Sequence, residues 1–462
     1  MKMRDTISPI DGSVYCSTKE HGSKDIEDAI NLASKAFPVW ADLPIKERAH
    51  YITSFVTAIV ADKEDIAKEI TWQMGRPVGQ SPGEIGGFED RANYMIGIAE
   101  EALAPYIPED QSPGKRFVDR VPLGIISVLS PWNYPFLTSV NAIIPALMAG
   151  NVVILKHSFQ TPLVAERYAQ AAIKAGLPKG VFQILHLNHE NTAKLIADPK
   201  LGGVCFTGSV KGGIAVQRAL TNTFVPCGLE LGGKDPAYVR ADANLDYSIE
   251  NLVDGSFFNS GQSCCGIERI YVHESVYDTF IDGFVSLTKG YRLGNPLEQE
   301  INLGPMVKTE AANYVRTQIG KALDKGAISL VDESLFPASK KNSPYLSPHV
   351  LVNVDHSMDV MTEESFGPVV GIMKVKDDSE AIQLMNDSQY GLTASVWTTD
   401  TDKAQSIGHR IEAGTVFMNR CDYLDPALAW TGVKNSGRGV TLSKLGYEHL
   451  TRTKSFHFRK ME

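Results

Sequence analysis

Between Val121 and Leu155 the chain carries no charged side chain, and so apolar a stretch belongs either in a bilayer or in a protein core. Ser130-Pro131, Asn133, Pro135, Asn141, Pro145 and Gly150-Asn151 cut it into pieces too short to cross a membrane as one helix. The stretch therefore reads as a buried strand at 123–129, a loop, a helix at 136–149 and a second buried strand at 152–155. That is the interior of an α/β protein, and it fixes the fold class before any other residue is considered.

The rest of the chain supports this alternation. Apolar residues recur near every 3.6 positions over 25–40, 45–61 and 65–75, which predicts three helices ahead of the sheet. After 152–155, Thr161-Pro162 opens a helix and Ala175-Gly176-Leu177-Pro178 closes it. Strands at 181–185 and 204–206 follow, the latter with a helix after Ser209. After Gly233 the pattern restarts with a helix at 246–259, a strand at 269–272 and a helix at 276–287. A helix at 381–388 and strands at 394–397 and 414–418 come later. The segment 337–348, rich in Ser, Lys, Asn and Pro, predicts an exposed loop. Residues 115–121 and 454–459 alternate as edge strands, which are places where another chain can pair.

A chain of 462 residues is long enough for two or three domains with substantial cores. Its 45 Lys and Arg against 54 Asp and Glu give a net charge of -9, which argues against nucleic acid or an anionic membrane as partner. Six cysteines without a C-x-x-C pair do not make a disulfide framework. Met1 to Asp5 leads into a polar turn and not into an apolar signal region. The expectation is a reducing, cytoplasmic location. The eleven histidines show no metal-ligand spacing, so no metal site is expected.

Two residues then stand out chemically. Cys264 follows Asn259-Ser260-Gly261-Gln262-Ser263, a polar and flexible lead-in expected to hold the sulfur at a loop-to-strand junction open to ligand. Upstream, Glu230 sits in Leu229-Glu230-Leu231-Gly232-Gly233-Lys234, where partial desolvation can raise a carboxyl toward working pH. A thiol with such a carboxylate begins covalent acyl chemistry, whereas either residue alone reads as an inert buried thiol or a solvated acid. Asn133, in the stiff Ser130-Pro131-Trp132-Asn133-Tyr134-Pro135 loop, is a donor suited to an oxyanion, or else a turn former. Lys156 ends an apolar strand, where a cation can meet a ribose or phosphate lying over the sheet edge, and Gly208-Ser209 opens a helix toward an anion. Cys265 is assigned to packing.

In order and spacing, Pro131-Trp132-Asn133, Lys156, Gly208-Ser209, Glu230 to Lys234, Gly261-Gln262-Ser263-Cys264, Glu363 to Pro368 and Gly432 to Gly437 resemble the aldehyde dehydrogenase superfamily. The resemblance covers almost the whole chain. It implies a Rossmann-like cofactor domain (1–105 and 123–232), an α/β catalytic domain (233–446) and a small β oligomerisation domain (106–122 and 447–462). It implies a homodimer or homotetramer that oxidises an aldehyde to the acid through Cys264, with Asn133 holding the oxyanion and Glu230 activating water. Trp132, Lys156, Gly208, Ser209, Gly213, Leu231, Glu364 and Phe366 would bind NAD or NADP. By the same resemblance Glu364 holds the nicotinamide ribose, Phe366 packs near the ring and Ser209 meets the pyrophosphate. Glu230 argues for release to water over transfer to coenzyme A.

Departures from the pattern bear on specificity. Where the family often has a ribose-binding Glu after the strand-end lysine, this chain has Phe159, which leaves both NAD and NADP open. The tunnel residues implied by resemblance are Tyr134, Thr138, Asn141, Phe258 and Trp430, an aromatic and neutral wall. Relatives acting on succinic semialdehyde commonly carry arginines at the positions of Asn141 and Phe258. The sequence therefore leans toward a neutral aliphatic or aromatic aldehyde, with succinic semialdehyde as the alternative, served by Arg420 or Arg269. A cofactor-independent esterase and a non-catalytic protein on the same fold are the competing classes.

Overall fold

A computed structural model describes residues 2–109 and 115–459. Met1, 110–114 and 460–462, which include parts of the two expected oligomerisation segments, lie outside the described residues. Two mainly parallel sheets organise the molecule. The first has six strands in the order Gly437–Arg438, Cys227–Glu230, Leu201–Thr207, Ile125–Ser130, Val152–His157 and Phe182–Ile184. All its neighbours are parallel except Gly437–Arg438. Val152 to Leu155 are fully buried, as a strand covered on both faces requires.

The strand Ile125–Ser130 is followed by neighbours on one side, Val152–His157 and Phe182–Ile184. The chain then returns to place Leu201–Thr207 on its other side. The order of strands reverses there, so the loops leaving Ser130 and Thr207 diverge and open a crevice at the carboxyl ends of the strands.

The second sheet has seven strands, with Asp235–Val239 flanked by Ile267–His273 on one side and Thr393–Trp397 on the other. The two expected edge strands pair with each other. Lys115–Pro122 and Thr451–Phe458 form an antiparallel ribbon in which Phe117 stacks on Phe456 at 4.6 Å.

Several expectations need correction. Residues 3–7 and 14–19 form an antiparallel hairpin ahead of the helices. A fourth N-terminal helix, Pro82–Ala102, lay hidden because Pro82, Gly83, Gly86 and Gly87 mimic a loop. Pro82 occupies the first turn, where no amide hydrogen is needed. Gly87 is where Leu137 of the next helix approaches, within 2.6 Å of where a Cβ would stand. The 337–348 loop is exposed only in part, since Leu346, Ser347 and Pro348 are buried. The helix expected to run to residue 259 ends at Phe257. Asn259, Ser260 and Gly261 take positive φ values of 52°, 56° and 70°, which no α-helix continues.

Candidate active site

Cys264 lies beyond this left-handed turn, and the turn is not flexible. Residues 259–263 are all buried. A Cβ on Gly261 would stand 2.3 Å from the Gly367 carbonyl oxygen, so only glycine allows the close approach. Ser260 donates to the Gly304 carbonyl at 2.8 Å, and Gln262 Oε1 accepts from the Val307 amide at 2.7 Å. The expected mobile lead-in is thus a rigid mount, because each of its polar groups has a partner in the core.

Asn133 is buried at the start of the helix Pro135–Met148, and its side-chain NH2 donates to the Gln262 carbonyl at 3.2 Å. Its own carbonyl accepts from Arg76 and from Asn259 Nδ2. Arg76 also binds Asn259 Oδ1 at 3.2 Å and pairs with Glu84 at 2.5 Å, both partners being almost fully buried. Glu84 in turn accepts the Phe136 and Leu137 amides at 2.8 and 2.9 Å, satisfying two free donors at that helix start. Neither Arg76 nor Glu84 carried a signal in the sequence; together they tie the Asn133 loop to the Cys264 loop.

Glu230 ends the strand Cys227–Glu230. Burial pushes its carboxyl up, opposed by hydroxyls from Thr441 at 2.5 Å and Thr207 at 3.4 Å and by the charge of Arg91. Cys265 donates to Asp422 at 3.1 Å, and its thiol is held well above the usual range, first by its contact with Cys264 and then by burial. It is therefore a neutral packing group. All six cysteines are free.

Two cavities meet at Cys264. One, of about 360 Å³, is lined by Glu230, Tyr134, Thr138, Asn141, Phe258 and Trp430 together with Cys264. The five expected tunnel residues are thus brought together. The cavity also contains an unexpected cation, Arg91 from the helix Pro82–Ala102. Arg91 is buried, donating to the Leu137 carbonyl at 2.6 Å and to Asn141 Oδ1 at 3.4 Å. No carboxylate lies within ion-pair distance of it among the described residues. Arg269, which the sequence offered for an acid substrate, donates instead to the backbone carbonyls of Lys234 and Met385, and Arg420 stacks on Tyr423. Neither lines this cavity.

The second cavity, of about 420 Å³, occupies the crevice of the first sheet. Trp132, Gly208, Ser209, Leu231, Glu364 and Phe366 line it with Cys264 and Asn133. Ser209 caps the helix Val210–Ala219, accepting the Gly212 amide at 3.1 Å. Gly213 lies behind the wall, where a Cβ would meet Leu231 at 2.7 Å; it lets the helix pack close. Trp132 meets Phe366 edge to face at 5.7 Å. Glu364 accepts the Gly233 amide at 3.0 Å, and burial with the charge of Glu268 pushes its carboxyl up to about 8. A buried pair unseen in the sequence, Lys234 with Glu268 at 2.5 Å, anchors this loop, since Glu268 also accepts the Ser365 and Phe366 amides at 2.9 Å. Lys156 does not line the crevice; it lies further along the sheet edge, beside Phe159.

A cleft at a strand-order reversal, with a capped helix start and two aromatic rings leading to a cysteine, fits a dinucleotide. The profile of the aldehyde dehydrogenase family matches residues 2–456. The chain belongs to the aldehyde dehydrogenase family. It is 33% identical to the succinate semialdehyde dehydrogenase Sad of Escherichia coli over 96% of this chain and 95% of that one. A probable betaine aldehyde dehydrogenase of Schizosaccharomyces pombe is 32% identical over 97% and 90%. Among solved structures, an aldehyde dehydrogenase from Brucella melitensis biovar abortus superposes with a TM-score of 0.95 at 29% identity, covering 100% of this chain and 95% of that one. The betaine aldehyde dehydrogenase of Staphylococcus aureus in complex with NAD+ gives 0.93 at 28%, covering 99% and 91%. This aldehyde dehydrogenase thus has the mixed α/β, Rossmann-like architecture of its family. Among its described residues no helix is long and apolar enough to cross a membrane, and no group of three or more His, Cys, Asp or Glu could hold a metal ion.

Proposed function

We propose that this aldehyde dehydrogenase oxidises a short aldehyde bearing a carboxylate at its far end, through a covalent intermediate on Cys264 and with NAD or NADP as oxidant. The observation that carries the reading is that Cys264 lies on the walls of both cavities. Sulfur can thus meet an aldehyde from one side while a hydride leaves toward the other.

The Cys264 thiolate attacks the aldehyde carbon, forming a C–S bond and an oxyanion. The Asn133 NH2 and the Cys264 amide are the donors for that oxyanion. When bound, the nicotinamide ring supplies a hydride acceptor. Loss of hydride leaves a thioester on Cys264. Glu230 takes a proton from a water molecule, whose oxygen attacks the thioester carbon; the C–S bond breaks and the acid departs. A carboxyl raised by burial suits that task, because it is a stronger base than a solvated one.

Arg91 supports the substrate assignment. An arginine buried without a carboxylate partner is costly, and a substrate carboxylate offsets that cost. It also supplies a cation beside Asn141, where the neutral wall read from residues 141 and 258 had none. Relatives at 30% identity include the succinate-semialdehyde dehydrogenase GabD of Escherichia coli and the glutarate-semialdehyde dehydrogenase of Pseudomonas aeruginosa. The carboxylates of the same cavity are accounted for otherwise. Asp422 accepts from Ser263 and Cys265, Glu84 pairs with Arg76, and Asp90 and Asp254 both sit exposed to solvent.

The same proposal covers the division into a cofactor domain, a catalytic domain and an oligomerisation ribbon, and assembly of two or four copies through that ribbon in the cytoplasm. Steady-state kinetics test the substrate. Succinic semialdehyde is expected to give a higher kcat/KM than butanal, benzaldehyde or 4-aminobutanal. Arg91→Leu should raise its KM by about 10- to 100-fold, the loss of one or two charge-assisted hydrogen bonds, while sparing butanal. Preference for butanal would restore the neutral reading, and preference for 4-aminobutanal would point to Asp90 and Asp254 instead.

A further inference from the structure

The loop leaving the strand Val152–His157 gathers two cations around one ring. The Arg4 guanidinium lies over Phe159 at 4.0 Å from the ring centroid, and Lys156 Nζ lies 5.5 Å from the same centroid. Arg4 comes from the N-terminal hairpin, which is fastened to this loop. Thr6 donates its hydroxyl proton to the Phe159 carbonyl at 2.9 Å, and Gln160 donates to the Ile7 carbonyl at 3.2 Å.

Neither cation has an anionic partner. No carboxylate lies within ion-pair distance of Arg4 or Lys156 among the described residues. Glu20, the acid on the hairpin that feels the charge of Arg4, is already engaged by Lys2 at 3.1 Å and by Asn188 at 2.6 Å. Asp5 accepts from Ser17 on the opposite strand of the hairpin. The Lys156 ammonium is only partly exposed and is drawn down to about 8, by burial and then by the charge of Arg4. Two like charges held together without a counter-ion are unfavourable until an anion arrives.

The position says which anion. Lys156 pairs in register with Leu129, and the neighbouring strand runs on into Trp132 at the crevice wall. The site therefore stands at the carboxyl end of the second strand of the βαβ unit. In dinucleotide folds an acid at that place binds the ribose 2′-hydroxyl of NAD, while a cation accommodates the 2′-phosphate of NADP. Here the acid is absent and two cations are present.

We propose that this aldehyde dehydrogenase selects NADP over NAD by holding the 2′-phosphate between Arg4 and Lys156, with the Phe159 ring fixing the guanidinium in place. A planar guanidinium stacked on an aromatic ring keeps its N–H edge free for phosphate oxygens, and Lys156 adds a point charge. Arg4 is thereby a specificity-determining residue lying outside the sheet that binds the rest of the cofactor.

The proposal rests on the dinucleotide reading of the crevice, and equilibrium binding separates the two. Isothermal titration calorimetry of the full chain with adenosine 2′,5′-bisphosphate and with 5′-AMP needs no turnover. The bisphosphate is expected to bind about 10- to 100-fold more tightly, as one or two charge-assisted contacts allow. Arg4→Ala should remove most of that ratio while leaving 5′-AMP affinity unchanged, and Arg4→Lys should restore part of it. Phe159→Glu should invert it. Equal affinity for the two ligands in the parent protein, or an unchanged ratio in Arg4→Ala, would overturn the proposal with the crevice reading intact. Binding of neither ligand would overturn both.

Discussion

The side-chain amide of Asn133 donates to the carbonyl of Gln262 at 3.2 Å, two residues before Cys264. The donor assigned to the oxyanion is thus bonded to the segment that carries the nucleophile. Arg76 reinforces the link by binding Asn133 and Asn259 together. Asn133→Ala is expected to lower kcat by about 100- to 1000-fold, the usual effect of losing one oxyanion donor, with little change in KM. Stopped-flow measurement of cofactor reduction checks it, since the loss should fall on the first turnover.

In the proposed mechanism Glu230 acts after that first turnover. Glu230→Gln should leave a rapid burst of reduced cofactor followed by a steady rate slower by about 100-fold or more, as loss of a general base predicts. Because burial raises its carboxyl, the working ionised form accumulates only as pH climbs above the ordinary carboxylate range. The sign for stability follows: a carboxyl raised in the folded state favours folding below its unfolded value and loses that contribution as pH rises through the folded one. Thermal melts at increasing pH should therefore show the Tm of Glu230→Gln gaining on that of the parent.

The turn before Cys264 makes a backbone prediction. Gly261→Ala places a Cβ 2.3 Å from the Gly367 oxygen at φ 70°. A penalty of about 1–3 kcal/mol is expected from the strained backbone alone, with displacement of Cys264 and loss of turnover. Urea unfolding and kcat together check it; a variant with unchanged activity would show that the mount is not needed.

Arg76 and Glu84 form an ion pair with almost no exposed surface. Glu84→Ala strands the guanidinium and frees two helix-start amides, so a loss of about 3–5 kcal/mol is expected. Chemical denaturation measures it directly.

The sequence made much of the site legible because its chemistry sits in short, dense motifs. Trp132-Asn133, Gly208-Ser209 and Glu230 lie at the end of a strand or the start of a helix, and Gln262-Ser263-Cys264 lies in the turn ahead of a strand, where glycine and proline mark the chain reversal. The residues that hold those motifs in place were not legible. Arg76, Glu84 and Arg91 stand on or beside a glycine-rich helix that shows no motif, and the groups they tie down, Asn259, the Phe136 amide and Asn141, are distant in the chain. The N-terminal hairpin was missed because its strands are short and mostly exposed, so no apolar alternation betrays them. Lys234 belongs to the motif that begins at Glu230, yet its partner Glu268 lies on the strand Ile267–His273 and only folding brings them together.

The most direct test of the account is to trap the acyl group. Glu230→Gln should be mixed with aldehyde and oxidised cofactor, quenched in acid, digested and read by mass spectrometry. The account predicts that the peptide containing Cys264 gains the mass of the acyl group, and that Cys264→Ala shows neither adduct nor turnover while still binding cofactor. An acyl group on any other residue, or turnover by Cys264→Ala, would contradict it.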